Sequence, residues 1–248
     1  MSTAVQVEIA DGVAWVTLDG PDTRNALDGA AAAELVEACE RIDAAPTVGA
    51  AVLGGAGGAF CSGADTRALD ALRTASADRA YEGLDELYRA FRRVGEMTVP
   101  TLAAIDGPAV GAGVNLALAA DLRIVTERAR FVSGFARVGL HPGGGHLHLL
   151  ARASNATTAA AAGVFAQPIH ADQLVASGVA WTLIPSADLR AHIIRMTAHL
   201  ATDPALARAL TATLRRTALD VATWDRAVEI ERARQMWSLS RSTPSKES

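Results

Sequence analysis

The chain reads as an α/β protein with a helical C-terminal region, and three observations carry that reading. Short apolar strand candidates such as Val48–Leu53 and Thr101–Asp106 alternate with helical stretches such as Glu82–Gly95. Two corners carry Gly and other small residues: Gly58–Thr66, where apolar Ala59–Phe60 give way to them, and Gly107–Asp121, fed by the strand candidate Thr101–Asp106. From Asp188 onward the pattern is helical throughout, divided at Asp203-Pro204, an N-cap followed by Pro at the first helical position.

The elements follow in order. Val5–Ile9 and Val13–Leu18 flank Asp11-Gly12, the signature of a two-residue hairpin. Asp28 is placed to cap a helix reaching about Ala44, with Leu35, Cys39 and Ile42 as its buried stripe. Val48–Leu53 is a buried strand, and Ala59–Phe60 resumes a strand before the first corner. Thr66–Ala80 shows no periodicity and reads as a mobile segment over a site. Leu84, Leu87, Phe91 and Val94 mark the inner face of the next helix. Strands follow at Leu122–Val125 and Arg130–Val132, then a Gly-rich loop from Ser133 to Gly145 and a helix from His146. Thr157–Ala162 reads as helix, Val164–Ala166 with Ile169 as a short strand region, Ala171–Ser177 as helix and Val179–Ile184 as strand. Leu206, Leu210 and Leu214 form an i, i+4 stripe, Trp224, Val228 and Trp237 lie on a later helix, and Ser238–Ser248 reads as frayed. The tail is suited to packing on a partner subunit, which divides the chain into a core over 1–187 and a helical region over 188–248.

Composition excludes several functions. With 248 residues, 50% of them hydrophobic, the chain buries a full core. A net charge of −4 gives no general electrostatic case for nucleic acid. Its single Lys, Lys246, excludes a phosphate-binding P-loop, and Leu116 stands where a dinucleotide fingerprint needs Gly or Ala. There is no Gly-x-Ser-x-Gly elbow. Cys39 and Cys61 have no disulfide spacing, and no segment has membrane character. A soluble, cytoplasmic protein is expected.

A strand ending in small residues before a helix brings backbone N–H groups and the positive end of a helix dipole near a ligand. Two such corners converging would stabilise an oxyanion. His146 and His148, two residues apart, point to different sides of a helix, so no metal site is expected.

Taken together, the motifs resemble the crotonase family, the enoyl-CoA hydratase/isomerase superfamily. The resemblance spans roughly Val5–Ala233 and rests on Thr23-Arg24-Asn25-Ala26-Leu27, Ala59–Asp65 and Ile105–Ala109 running into Gly111-Ala112-Gly113. It continues through Ala119–Arg123, Gly139–Gly145 and Ile169–Gly178. It implies a crotonase-like ββα spiral core with a C-terminal helical trimerisation region, as a homotrimer or a dimer of trimers. The ligand would be an acyl-CoA thioester, with coenzyme A entering as part of the substrate and no permanently bound cofactor.

By motif match, the N–H groups of Ala64 and Ala112 would form the oxyanion hole, and Arg24, Ala26, Ser62, Asp65 and Thr66 would hold the CoA moiety. The two catalytic Glu positions of the family's hydratases fall on Asn115 and Phe135, neither of which exchanges a proton at neutral pH. No Asp or Glu occurs anywhere in Phe131–Arg152. His141, on the loop that lines the acyl pocket in the family, is the candidate acid or base. Ordinary hydration is therefore doubtful. An acyl-CoA enzyme working through the oxyanion hole is expected, with a decarboxylase, a hydrolase or an inactive acyl-CoA binder as alternatives.

Overall fold

The computed structural model describes residues 2–217 and 221–240. The chain opens with β1 (Ala4–Ala10), β2 (Val13–Asp19), α1 (Gly29–Asp43) and β3 (Ala50–Gly55). It continues through α2 (Thr66–Thr74), α3 (Ala77–Gly95), β4 (Thr101–Ile105), β5 (Pro108–Val110) and α4 (Ala112–Ala119). Next come β6 (Leu122–Val125), β7 (Arg130–Val132), α5 (His146–Ala153), α6 (Ala156–Ala159), β8 (Ile169–His170), α7 (Ala171–Ala176) and β9 (Thr182–Leu183). The last helices are α8 (Leu189–Thr202), α9 (Pro204–Thr217) and α10 (Val221–Leu239).

The strands form a six-stranded sheet ordered β1-β2-β3-β4-β6-β9 and a three-stranded sheet ordered β5-β7-β8. The hairpin β1–β2 is antiparallel, and the other pairs of the larger sheet are parallel. Both faces of its middle strands β3 and β4 are largely buried, which explains their nearly continuous apolar sequences. Leu53, Ala103 and Val125 face the main core, while Val52, Leu102 and Ile124 pack with Leu189 and Ile193 of α8. Asp28 caps α1 by accepting from Ala31 N, and Leu35, Cys39 and Ile42 are buried as the spacing predicts. Cys39 and Cys61 are free, buried thiols.

Several expectations are corrected. The segment read as mobile folds into α2 and the start of α3. Asp65 caps α2 through Arg67 N and Ala68 N, and Ser76 caps α3, so local capping supplies the order that the hydrophobic pattern lacks. Ala59–Phe60 form no strand, and Cys61 makes an isolated bridge to Ala109 instead. Val164–Ala166 contributes no strand, and the last strand shrinks to β9. Ser238 is not frayed but helical and buried; residues 241–248 of that stretch lie outside the described residues.

α10 lies on its own chain, against α3 and α5. Trp224 Nε1 donates to Gly144 O over 3.2 Å, and Arg232 Nη2 reaches Asp85 Oδ1 at 2.9 Å. Its buried stripe contains Glu231, Arg232, Gln235 and Ser238, so hydropathy alone does not reveal it. Among the described residues, no helix is long and apolar enough to cross a membrane.

Asp121 ties the sheet to the helical region. Its Oδ2 accepts from Thr101 N and Thr101 Oγ1, both at 2.8 Å, and pairs with Arg215 Nη2 at 2.9 Å. Both charged side chains are largely buried. Removing one partner leaves an uncompensated buried guanidinium. Asp121→Ala should therefore cost about 3 kcal/mol of unfolding free energy in urea titrations; a loss below about 0.5 kcal/mol, the scale of a surface substitution, would contradict this reading.

Candidate active site

The two small-residue corners meet. Phe60 N and Cys61 N donate to Pro108 O over 3.0 and 3.3 Å, and Val110 N returns a bond to Cys61 O over 2.9 Å. Two glycines permit this approach. At Gly63, with φ +95°, a Cβ would stand 2.6 Å from Val110 O; at Gly113 it would stand 2.2 Å from Cys61 O. Leu27 N donates to Gly63 O and Asp65 N to Leu27 O, which fixes the first corner on its other side. Gly111 N donates to Val132 O at 2.8 Å, fixing the second corner against β7.

Ala64 and Ala112 stand at this crossing with N–H groups that these bonds do not use. Among the described hydrogen bonds, neither Ala64 N–H nor Ala112 N–H is donated within the chain. Ala112 opens α4, where the first N–H groups of a helix have no internal acceptor. Ala64 and Ala112 both line one cavity of about 310 Å³. Its walls are mainly apolar, with Leu84, Leu87, Phe91 and Leu140 among them, and its polar lining comes from Ser62, Thr66, Tyr88, Asn115, Ser133, Arg137 and Gln235. Among the described residues, no carboxylate lines it.

Asn115 and Phe135 both line this cavity. Asn115 is buried, with Nδ2 donating to Gly143 O at 2.8 Å and Oδ1 lying 2.6 Å from His146 Nδ1. His146 Nε2 is 2.8 Å from Ser133 Oγ. The Phe135 ring meets the imidazole edge-on, with centroids 4.9 Å apart. Burial pushes His146 down to about 3, so the ring is neutral at neutral pH.

The sequence-predicted CoA residues cluster at the first corner. Arg24 is exposed, its carbonyl accepts from Ser62 N at 3.0 Å, and Ser62 Oγ donates to Thr23 O at 2.7 Å. Ser62 and Thr66 line the cavity. Ala26 is buried, with its carbonyl taken by Thr3 Oγ1, and Asp65 is occupied in capping α2 and pairing with Arg67. His141 is not brought to the site. Its Nδ1 lies 2.7 Å from Pro142 O, its N donates to Ser238 Oγ, and it opens on a separate cavity with Trp237 and Ser238. The His146–His148 pair gathers no metal cluster among the described residues.

Sequence reading missed the contribution of α10 and the partners of Asn115. Gln235 of α10 accepts from the hydroxyl of Tyr88, and both line the cavity. Glu231 accepts from His146 N at 2.7 Å and Leu147 N at 2.9 Å, capping α5 from α10. No spacing rule joins residues so far apart in the chain.

The geometry defines a class: an α/β chain in which two crossing corners line one apolar cavity with residues whose backbone N–H groups have no acceptor among the described hydrogen bonds. Comparison with known proteins places the chain. Residues 8–247 match the model of the enoyl-CoA hydratase/isomerase family, and the chain belongs to that family. It is 43% identical over 176 residues to the "Probable enoyl-CoA hydratase EchA14" of Mycobacterium tuberculosis, covering 71% of this chain and 68% of that protein. It is 29% identical over 197 residues to the 1,2-epoxyphenylacetyl-CoA isomerase of Escherichia coli, covering 79% of this chain and 75% of that one. The crystal structure of an enoyl-CoA hydratase/isomerase from Xanthobacter autotrophicus Py2 superposes with a TM-score of 0.89 at 27% identity, over 98% of this chain and 90% of that one.

Two buried groups behind the cavity titrate in opposite directions. Burial pushes Glu231 from 4.5 up to about 7, against the N–H groups at the start of α5. The folded chain thus keeps a proton that the unfolded chain loses, and stability falls as pH rises between these values. His146 is shifted from 6.5 down to about 3, so stability falls as pH drops between these values. The two effects offset each other where the windows overlap. Glu231→Gln removes the first alone. Its unfolding free energy relative to wild type should climb by about 1.4 kcal/mol per pH unit between about pH 4.5 and 7 and level off above. Urea titrations across that range check this, and a difference independent of pH would contradict a raised Glu231.

Proposed function

We propose that the protein acts on an acyl-CoA thioester whose carbonyl oxygen accepts from Ala64 N–H and Ala112 N–H. The observation that carries this reading is the pair of undonated N–H groups converging on an apolar cavity. An enolate or tetrahedral oxyanion formed at that carbonyl places its charge against both donors and the start of α4, which lowers the barrier. The neighbouring loop with Arg24, together with Ser62 and Thr66 at the cavity, supports entry of the CoA moiety from that side. Asp65 takes part there through its α2 cap.

Ordinary two-Glu hydration is not the proposed reaction. Asn115 and Phe135 match the two hydratase positions, and among the described residues no carboxylate lines the cavity to replace them. That same absence favours, as a second reading, an acyl-CoA binder that performs no chemistry. The exposed stripe of Leu206, Leu210 and Leu214 on α9 supports a further expectation, assembly with copies of itself as a trimer or a dimer of trimers.

The test separates carbonyl recognition from turnover. A ketone analogue of hexanoyl-CoA, with CH₂ in place of the thioester sulfur, should bind about tenfold more tightly than S-hexyl-CoA, which has no carbonyl to accept the two bonds. Ala112→Pro deletes one donor at a first helical position, where Pro is tolerated, and should largely remove that preference. Equal affinity for the two analogues in calorimetry would contradict the proposed hole. Wild type should form no 3-hydroxybutyryl-CoA from crotonyl-CoA, and its steady formation would overturn the assignment of Asn115 and Phe135.

A further inference from the structure

Beside the two donors, the cavity wall holds a linear relay that the hydratase comparison does not account for. Ser133 lines the cavity, and its Oγ is 2.8 Å from His146 Nε2; His146 Nδ1 is 2.6 Å from Asn115 Oδ1. The direction of each bond follows from the last link. Asn115 Nδ2 donates to Gly143 O, so Oδ1 faces the ring as an acceptor and takes the Nδ1 proton. Nε2 is then the lone-pair nitrogen, aimed at the Ser133 hydroxyl. A base in that tautomer, held by a third polar group, is what activates a serine hydroxyl.

The relay stands next to the donors. Gly111 N and Val132 O share a 2.8 Å bond, and the residues that follow them in the chain are Ala112 and Ser133. Phe135 packs edge-on against the imidazole and Asn115 is itself buried, so the relay is closed off from bulk water. His146 is uncharged at neutral pH, and the burial that keeps it so also disfavours the imidazolium, which makes it a weak base.

We propose that Ser133 is a nucleophile, activated by His146 and with Asn115 as the positioning residue, that hydrolyses an acyl-CoA thioester through a serine ester. This rests on the acyl-CoA reading given above. Ser133 Oγ forms a bond to the thioester carbonyl carbon while its proton passes to His146 Nε2, and the carbonyl oxygen becomes an oxyanion held by Ala64 and Ala112. Collapse of the oxyanion breaks the C–S bond, and CoA leaves as the thiol with the proton from Nε2. Water then attacks the Ser133 ester as His146 takes its proton. The second collapse returns that proton to Oγ and releases the carboxylic acid. No electrons are exchanged with a cofactor, and water is the only co-reactant. Asn115 cannot neutralise the imidazolium as a carboxylate would; only the oxyanion does so, which makes slow turnover and an accumulating ester the expected behaviour.

The experiment incubates the full chain with acetyl-, hexanoyl- and benzoyl-CoA. It follows CoA thiol release, maps acyl adducts by mass spectrometry after acid quench, and measures binding of the hexanoyl-CoA ketone analogue. The expected result is CoA release from at least one thioester with an acyl adduct on Ser133. Ser133→Ala should lose release at least 100-fold and lose the adduct while binding the analogue with unchanged affinity. Ser133→Cys should recover the adduct, which a purely structural hydroxyl would not provide. Release undiminished in Ser133→Ala would overturn the proposal, as would tight analogue binding with neither release nor adduct in wild type; both leave the acyl-CoA reading standing. Failure to bind the analogue at all would overturn both.

Discussion

The site depends on the backbone bonds that lock two distant corners together. Phe60 N and Cys61 N on Pro108 O, and Val110 N on Cys61 O, bring the first corner within contact of the second. Only glycine fits at Gly63 and Gly113, because a Cβ at either would collide with the opposite corner's carbonyl. Ala64 and Ala112 stand at this crossing and line the cavity, their N–H groups in no described hydrogen bond. Backbone donors held this way need no reorganisation when charge develops, so a rigid crossing serves recognition and chemistry together.

A second constraint acts behind the cavity. Asn115 is buried, and its amide is satisfied on both sides, by Gly143 O and by His146. Buried polar groups are costly unless fully paired, so the Ser133–His146–Asn115–Gly143 chain forms a unit in which each member needs the next. α10 closes this unit from outside. Glu231 caps α5 at His146, Trp224 bonds Gly144 O, and Gln235 reaches Tyr88 in the cavity wall. The C-terminal helix therefore belongs to the site of its own chain.

The hairpin, α1, the parallel strands and the Asp203-Pro204 break were legible because each rests on local rules of alternation, capping and turn chemistry. The two corners were legible from their small residues, and the family motifs placed Ala64 and Ala112 within them. α2 was not legible: its order comes from the Asp65 cap, and no buried stripe announces it. The role of α10 was hidden because its inward face carries Glu231, Arg232, Gln235 and Ser238. His141 drew attention as a loop histidine, whereas His146 faces the cavity residues because α5 begins there. The pairing of Ser133 with His146 spans a Gly-rich loop whose path no sequence rule supplies.

The central claim is that two backbone N–H groups polarise a thioester-type carbonyl in this cavity. The most direct measurement is an isotope-edited infrared difference spectrum of the hexanoyl-CoA ketone analogue, labelled with ¹³C at its carbonyl, bound to wild type and to Ala112→Pro. A carbonyl band shifted to lower wavenumber in wild type, and returning part of the way in the variant, is the result this account predicts. A bound carbonyl at its solution frequency, or an identical shift in both proteins, would contradict it.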